Sequence, residues 1–336
     1  MAIPIAPGEF LITDHFYDYL SSVKHLNRKS VVHDEVWNAK NQKFLPVNNL
    51  YPELVTWRAR VQLALANSFL NIDSRATAGQ NDFFRRGGFP ITFLGNGYYI
   101  LAGGVNNKIL DDLEIRNVNR VNVVTRLKMY RPRLSAVSTY LGSNQVLITG
   151  GEPSALPEGA LVSGLADLFD FKINKIVQTG PMNIDRVYHT GTLLPDKSVL
   201  IIGGKAVYGT NEITKVAEIY NPKKRQFSII GKTIYPHMAH TATLLKNGTV
   251  LIAGGLSHYA ISQRKNAGNA ELFDPKTNRF IDMSPMLYPG FNKMALPIGN
   301  RVLLIGGSTV DWAEGMDTNP LKNSEMFVGK ENSNGV

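Results

Sequence analysis

Five segments of this chain end in a glycine pair after a short apolar run: YYILAGG (98–104), QVLITGG (145–151), SVLIIGG (198–204), TVLIAGG (249–255) and RVLLIGG (301–307). Their first glycines, at 103, 150, 203, 254 and 306, are separated by steps of 47, 53, 51 and 52 residues. A period constrains a fold more tightly than composition does, because each repeat must be one supersecondary unit that buries its apolar face against its neighbours. A beat of about fifty residues is too long for leucine-rich or ankyrin units and suits a four-stranded sheet repeated about an axis.

Ahead of each pair stands a turn triplet: Gly95-Asn96-Gly97, Gly142-Ser143-Asn144, Pro195-Asp196-Lys197, Lys246-Asn247-Gly248 and Ile298-Gly299-Asn300. These residue types accept the backbone angles of a tight hairpin. A further short strand precedes each triplet, as at 190–194 and 241–245, so every unit opens with a hairpin of strands a and b. Strand b is apolar throughout, as a strand covered on both faces must be. A third strand, c, has its own signature: DEVWN (34–38), LEIRN (113–117), ADLFD (166–170), AEIYN (217–221), AELFD (270–274) and SEMFV (324–328). Each carries an acid, namely Glu35, Glu114, Asp167, Glu218, Glu271 or Glu325, and all but the second place an aromatic two residues on, where the second has Arg116. Seven residues after that place come Phe44, Val123, Ile176, Phe227 and Phe280, on a strand d reached through polar turns. In the last unit Asn334 stands there instead, so that unit needs a strand from elsewhere.

The apolar run ending in Gly-Gly and the two aromatics with six residues between them resemble the kelch repeat, and HTGTLLPDKSVLIIGG (189–204) and HTATLLKNGTVLIAGG (240–255) look most like the kelch units of galactose oxidase and glyoxal oxidase. The resemblance implies an all-β fold, a six-bladed β-propeller of four-stranded kelch blades, with seven blades as the alternative. On this reading residues 1–336 form a single propeller, with a divergent first blade and an inserted hairpin in 1–85, regular blades over 86–330 and a flexible tail at 331–336. Residues 9–14 serve either as strand b of the first blade or as the missing strand d of the last. Residues 54–73 alternate as a hairpin without a glycine pair.

The copper-radical chemistry of those oxidases needs a tyrosine crosslinked to a cysteine, and the chain has no cysteine. Disulfides and thiolate metal sites are excluded with it. No G-x-S-x-G, H-E-x-x-H or phosphate-cradling motif occurs, so no catalytic residue, metal or cofactor is expected. His189 and His240 occupy equivalent places and are expected to hydrogen-bond within their own blades rather than hold a metal. Arg86, Arg133 and Arg186, each seventeen residues before a first glycine, are expected to form structural ion pairs, as are the strand c acids. Asn247-Gly248-Thr249 matches a glycosylation sequon and is first of all a hairpin turn.

Recognition is therefore expected in the b-c connections, which run 10, 16, 14, 16 and 18 residues from the second glycine to the strand c acid. Variable loops on a rigid scaffold are where binding concentrates. The candidates in 152–165, 205–216, 256–269 and 308–323 are Tyr208, His258, Tyr259, Arg264, Asp311, Trp312 and Glu314, with Trp312 the strongest, since an exposed indole is costly unless it packs or binds. The expected role is a non-enzymatic protein-binding module that can form part of a larger assembly, and a separate third reading is a virion or secretion-apparatus component. The alternative is a carbohydrate-binding or sugar-processing, epimerase-like propeller. Lys and Arg total 36 against 27 Asp and Glu, a net charge of +9 that favours acidic partners, but the cations are scattered along the chain, which disfavours nucleic acid. No apolar run approaches the roughly 20 residues that span a bilayer, and the chain as given opens without a signal peptide. The compartment is not legible.

Overall fold

A computed structural model describes residues 2–6, 9–12, 35–38, 43–46, 90–95, 98–105, 108–117, 120–142, 144–152, 164–206, 213–256, 268–283, 285–298, 301–311, 317–321 and 323–328. The described residues form strands and turns and no helix, so none contains a helix able to cross a membrane. They divide into two compact units, one of Met1–Val55 with Ile234–Val336 and one of Thr56–Thr233. The residues 54–73 and 331–336 singled out above lie outside the described set.

The first unit begins with an antiparallel sheet of β1 (Ala2–Ala6), β2 (Glu9–Ile12), β3 (Glu35–Asn38) and β4 (Lys43–Pro46), in that order. Residues 9–12 are thus strand b of this sheet, paired with β3, and not strand d of the last one. Strand β1, which no glycine pair announces, is its strand a.

The second unit holds three four-stranded antiparallel meanders. They are β5 (Ile91–Gly95), β6 (Tyr98–Ala102), β7 (Asp112–Asn117) and β8 (Arg120–Lys128); β9 (Val137–Gly142), β10 (Gln145–Thr149), β11 (Ala166–Asp170) and β12 (Lys175–Gln178); and β13 (Thr190–Leu193), β14 (Val199–Ile202), β15 (Val216–Asn221) and β16 (Gln226–Lys232). Their first strands, β5, β9 and β13, lie side by side.

The first unit resumes with β17 (Thr241–Leu244), β18 (Val250–Ala253), β19 (Ala270–Asp274) and β20 (Arg279–Asp282) in one sheet. The last sheet has three described strands, β21 (Met294–Ile298), β22 (Arg301–Ile305) and β25 (Ser324–Val328). Between β22 and β25 the chain makes a separate hairpin, β23 (Ser308–Asp311) and β24 (Asp317–Pro320). Strand β21 lies beside both β17 and β1, so the N-terminal sheet neighbours the last one.

Strand b is apolar throughout because it faces two neighbours. Val146 and Ile148 of β10 pack with Ile100, Ala102 and Leu113 of the sheet before, while Leu147 packs with Val199, Ile201 and Tyr220 of the sheet after. Each such side chain contributes about 1.5–3 kcal/mol on burial. The spacing of seven has an equally direct cause: Tyr220 and Phe227, and Phe273 and Phe280, are cross-strand partners, with ring centroids 4.7 and 5.0 Å apart.

The glycine pairs are the joints between sheets. In all five, both residues have positive φ, as with Gly254 at 70° and Gly255 at 98°. A Cβ on Gly254 would lie 2.5 Å from the Gly290 carbonyl oxygen of the adjacent sheet, and on Gly103 or Gly150 it would meet the carbonyl of Arg133 or Arg186 in the same way. The next N–H donates to that carbonyl: Gly104 to Arg133 at 2.6 Å, Gly151 to Arg186 at 3.2 Å and Gly255 to Gly290 at 2.9 Å. One glycine lets the sheets approach and the other makes the hydrogen bond.

Candidate functional site

At the loop end of each regular sheet, where strand b leaves and strand c begins, one buried ion pair holds the connections. Arg186 Nη2 donates to Glu218 Oε1 at 2.6 Å, and its Nη1 donates to the carbonyls of Gly203 and Val216, both at 3.0 Å. Both side chains are 0% exposed. Arg133 repeats the arrangement, reaching Asp167 at 2.7 Å and the carbonyls of Gly150 and Leu165 at 3.1 and 2.6 Å. In the next repeat His237 takes the arginine's place, its Nε2 meeting Glu271 at 2.8 Å and its Nδ1 the Gly254 carbonyl at 2.9 Å.

The acids take a further contribution from the incoming d-a connection. Backbone N–H groups of Asn183, Ile234 and Leu287 donate to Glu218, Glu271 and Glu325 at 2.7, 2.9 and 2.8 Å. Each carboxylate thus ties three stretches of chain together. Burial pushes the Arg133 and Arg186 guanidinium pKa values down, while the paired carboxylates pull them up. Burial likewise raises Asp167, and Arg133 lowers it. A carboxylate committed to a guanidinium and to backbone N–H groups in sheet after sheet is a structural node. In the first sheet of the second unit Glu114 takes Arg116 at 2.6 Å and Arg126 at 2.9 Å. Arg86, its counterpart by spacing, lies outside the described residues.

The last sheet builds the node differently. Strand register aligns Gly290 with Arg186, and Lys293 with His189 and His240. Lys293 supplies the cation, donating to the Gly306 carbonyl at 3.2 Å and standing 3.8 Å from Glu325. Burial pushes its ammonium pKa down and Glu325 pulls it up. The β23–β24 hairpin explains the exchange: a Cβ on Gly290 would lie 2.6 Å from the Ser308 carbonyl oxygen and 2.7 Å from Leu321 Cδ1, at the two feet of that hairpin. No side chain fits at 290, so the cation is supplied three residues further on.

His189 is buried, with Nε2 at 2.8 Å from Thr149 Oγ1 on β10. This bond joins neighbouring sheets, not one blade to itself as the repeat position had suggested, because the residue before strand a faces the preceding sheet. Burial first, and then the Arg186 guanidinium, hold its pKa well below 6.5. His240 is also buried, its ring 5.3 Å from that of His237. Among the described residues no three His, Asp or Glu side chains gather as a metal site.

Of the loop candidates, Tyr208, His258, Tyr259, Arg264, Trp312 and Glu314 lie outside the described residues. Asp311 is the last residue of β23, in register with Asp317 across the hairpin. The hairpin is fixed at its foot by reciprocal bonds between Phe291 and Ser308, both 2.9 Å, and by Leu321 N–H to the Gly307 carbonyl at 2.9 Å. Glu152, buried at the foot of another b-c connection, has its pKa raised by burial and lowered by Lys205.

No protein-family model matches the chain, and no curated protein matches it. Among solved structures, the one described as "Structure of YjhT" is similar, with a TM-score of 0.58 and 14% identity over 74% of this chain and 82% of that chain. Identity so low carries the fold alone. With the repeated four-stranded antiparallel sheets, it makes this chain an all-β protein of the β-propeller class.

Proposed function

We propose that the chain is a non-enzymatic binding module, a six-bladed propeller of kelch type that holds a protein partner on its b-c loop end. The observation that carries this reading is the β23–β24 hairpin. The blade repeat has no need of it, yet the last sheet carries glycine at 290 and moves its cation to Lys293 around the hairpin's feet. A hairpin anchored in this way holds Asp311 at the end of a paired stem, which lowers the ordering cost of binding there. The strand c acids and their partners, by contrast, are occupied in holding the sheets.

A partner pull-down with the wild type and with Trp312→Ala plus Arg264→Ala tests this. Loss of the wild-type partners from the double variant is expected. Retention of the same partners by both forms overturns the loop-end assignment.

A further inference from the structure

The cations that look scattered along the sequence recur on the a-b and c-d turns, at the opposite end of the sheets from the b-c loops. In the second unit the β11–β12 turn carries Lys172 and Lys175, the β13–β14 turn Lys197, and the β15–β16 turn Lys223, Lys224 and Arg225, all exposed. Their turns are built so that these side chains point away from the chain that forms them. Asp170 Oδ1 accepts the N–H groups of Lys172 and Ile173 at 3.0 and 3.4 Å, Asn221 Oδ1 those of Lys223 and Lys224 at 3.0 Å each, and Asp196 Oδ1 that of Ser198 at 3.0 Å. The short polar residues close the turns while the long basic ones project. None of the six joins an ion pair among the described residues. The two c-d turns belong to adjacent sheets: the Arg225 carbonyl accepts from Gly180 N–H and Thr179 Oγ1, which follow β12 at its end remote from Lys172 and Lys175, at 3.1 and 2.8 Å.

The loop end of the same unit differs. There Lys128 is held by Asp111 and Asp112 at 2.6 and 3.0 Å, and exposed Lys108, Arg131, Lys215 and Lys232 share the end with exposed Asp185. Among the described residues the turn end thus carries six exposed cations against two carboxylates, Asp170 and Asp196, and the loop end five exposed cations against three, Asp111, Asp112 and Asp185.

We propose that this turn end docks peripherally on an anionic lipid surface. Five of the six cations are lysines, compact point charges that suit headgroup phosphates and carboxylates without a fixed bidentate geometry. Ile173, 56% exposed at the tip of the turn between Lys172 and Lys175, and Tyr98, 39% exposed at the same end of the first sheet, add apolar and amphipathic groups. Such groups gain by entering the headgroup layer and gain nothing from a phosphodiester backbone. Lysines near a negative leaflet are attracted without needing a pocket.

Sedimentation of the full chain with vesicles of phosphatidylcholine plus phosphatidylserine, and of phosphatidylcholine alone, tests the proposal. Binding to the mixed vesicles alone is expected, falling as salt is raised. Lys223→Ala plus Lys224→Ala lowers the partition coefficient about 25-fold, at about fivefold per lysine, and Ile173→Ser lowers it further. Lys215→Ala plus Lys232→Ala, at the other end, leaves it unchanged. Equal sedimentation with phosphatidylcholine alone, an equal loss in the loop-end variant, or tighter binding to a DNA duplex or to polyglutamate than to the mixed vesicles at the same salt overturns it.

Discussion

The sheet of β13–β16 and the last sheet, of β21, β22 and β25, solve one problem with different atoms. In the first, Arg186 spreads a planar fork over two carbonyls and Glu218. In the last, Gly290 stands at the arginine's place and a single ammonium, Lys293, reaches Gly306 and Glu325 from the place of a histidine. The fold thus requires a cation at a point in space and tolerates its arrival from different points in the chain. The contrast also identifies what displaced the arginine, because the feet of the β23–β24 hairpin fill the volume a side chain at 290 would need.

The largest effect should come from breaking the fork. Arg186→Leu strands Glu218 in a fully buried site and should cost about 3–5 kcal/mol in chemical denaturation. Lys293→Met should cost less, about 1.5–3 kcal/mol, because the longer approach to Glu325 leaves less interaction to lose. Equal costs would mean that the two nodes are energetically the same despite their geometry.

Next in size, Gly290→Ala should cost about 1–3 kcal/mol by overpacking against Ser308 and Leu321. Replacing the hairpin with a short link should remove most of that penalty. A penalty that survives the replacement would show that something other than the hairpin excludes a side chain there.

The smallest effect separates the histidine place from the lysine place by pH. His189 is neutral when folded because its pKa lies below the ordinary 6.5, whereas the unfolded chain takes up a proton there below 6.5. Its contribution is therefore complete above pH 6.5 and is lost as pH falls below it, with a slope of at most about 1.4 kcal/mol per pH unit. Denaturation of wild type and His189→Gln across pH 5 to 8 should differ by that slope below 6.5 and run parallel above it. Parallel curves throughout would place the His189 pKa at its unfolded value.

Much of this was open to inspection in the sequence. The glycine pairs, the apolar strand b and the seven-residue spacing are legible because each reports a backbone angle, a two-faced burial or a cross-strand register. Arg133 and Arg186 were legible from their common distance to a glycine. His237 stands at the same distance from Gly254 and could have been found by place, although not by residue type. Lys293 could not, since its role follows from the crowding of 290 by residues 308 and 321, which nothing local to either stretch announces. The β23–β24 hairpin was equally hidden, as STVD and DTNP lack the apolar alternation that marks a strand. The recurrence of lysines on the turns depended on knowing that distant turns end on one side.

The displaced arginine also limits how loops can be exchanged on this scaffold. Transplanting residues 308–321 into the connection between β14 and β15 would bring its feet against Arg186. The graft would need glycine at 186 and a lysine at 189 to carry the charge, even though neither residue belongs to the transplanted piece. Insertions at this end come with a footprint, and diversification of the loops is coupled to the residues beneath them.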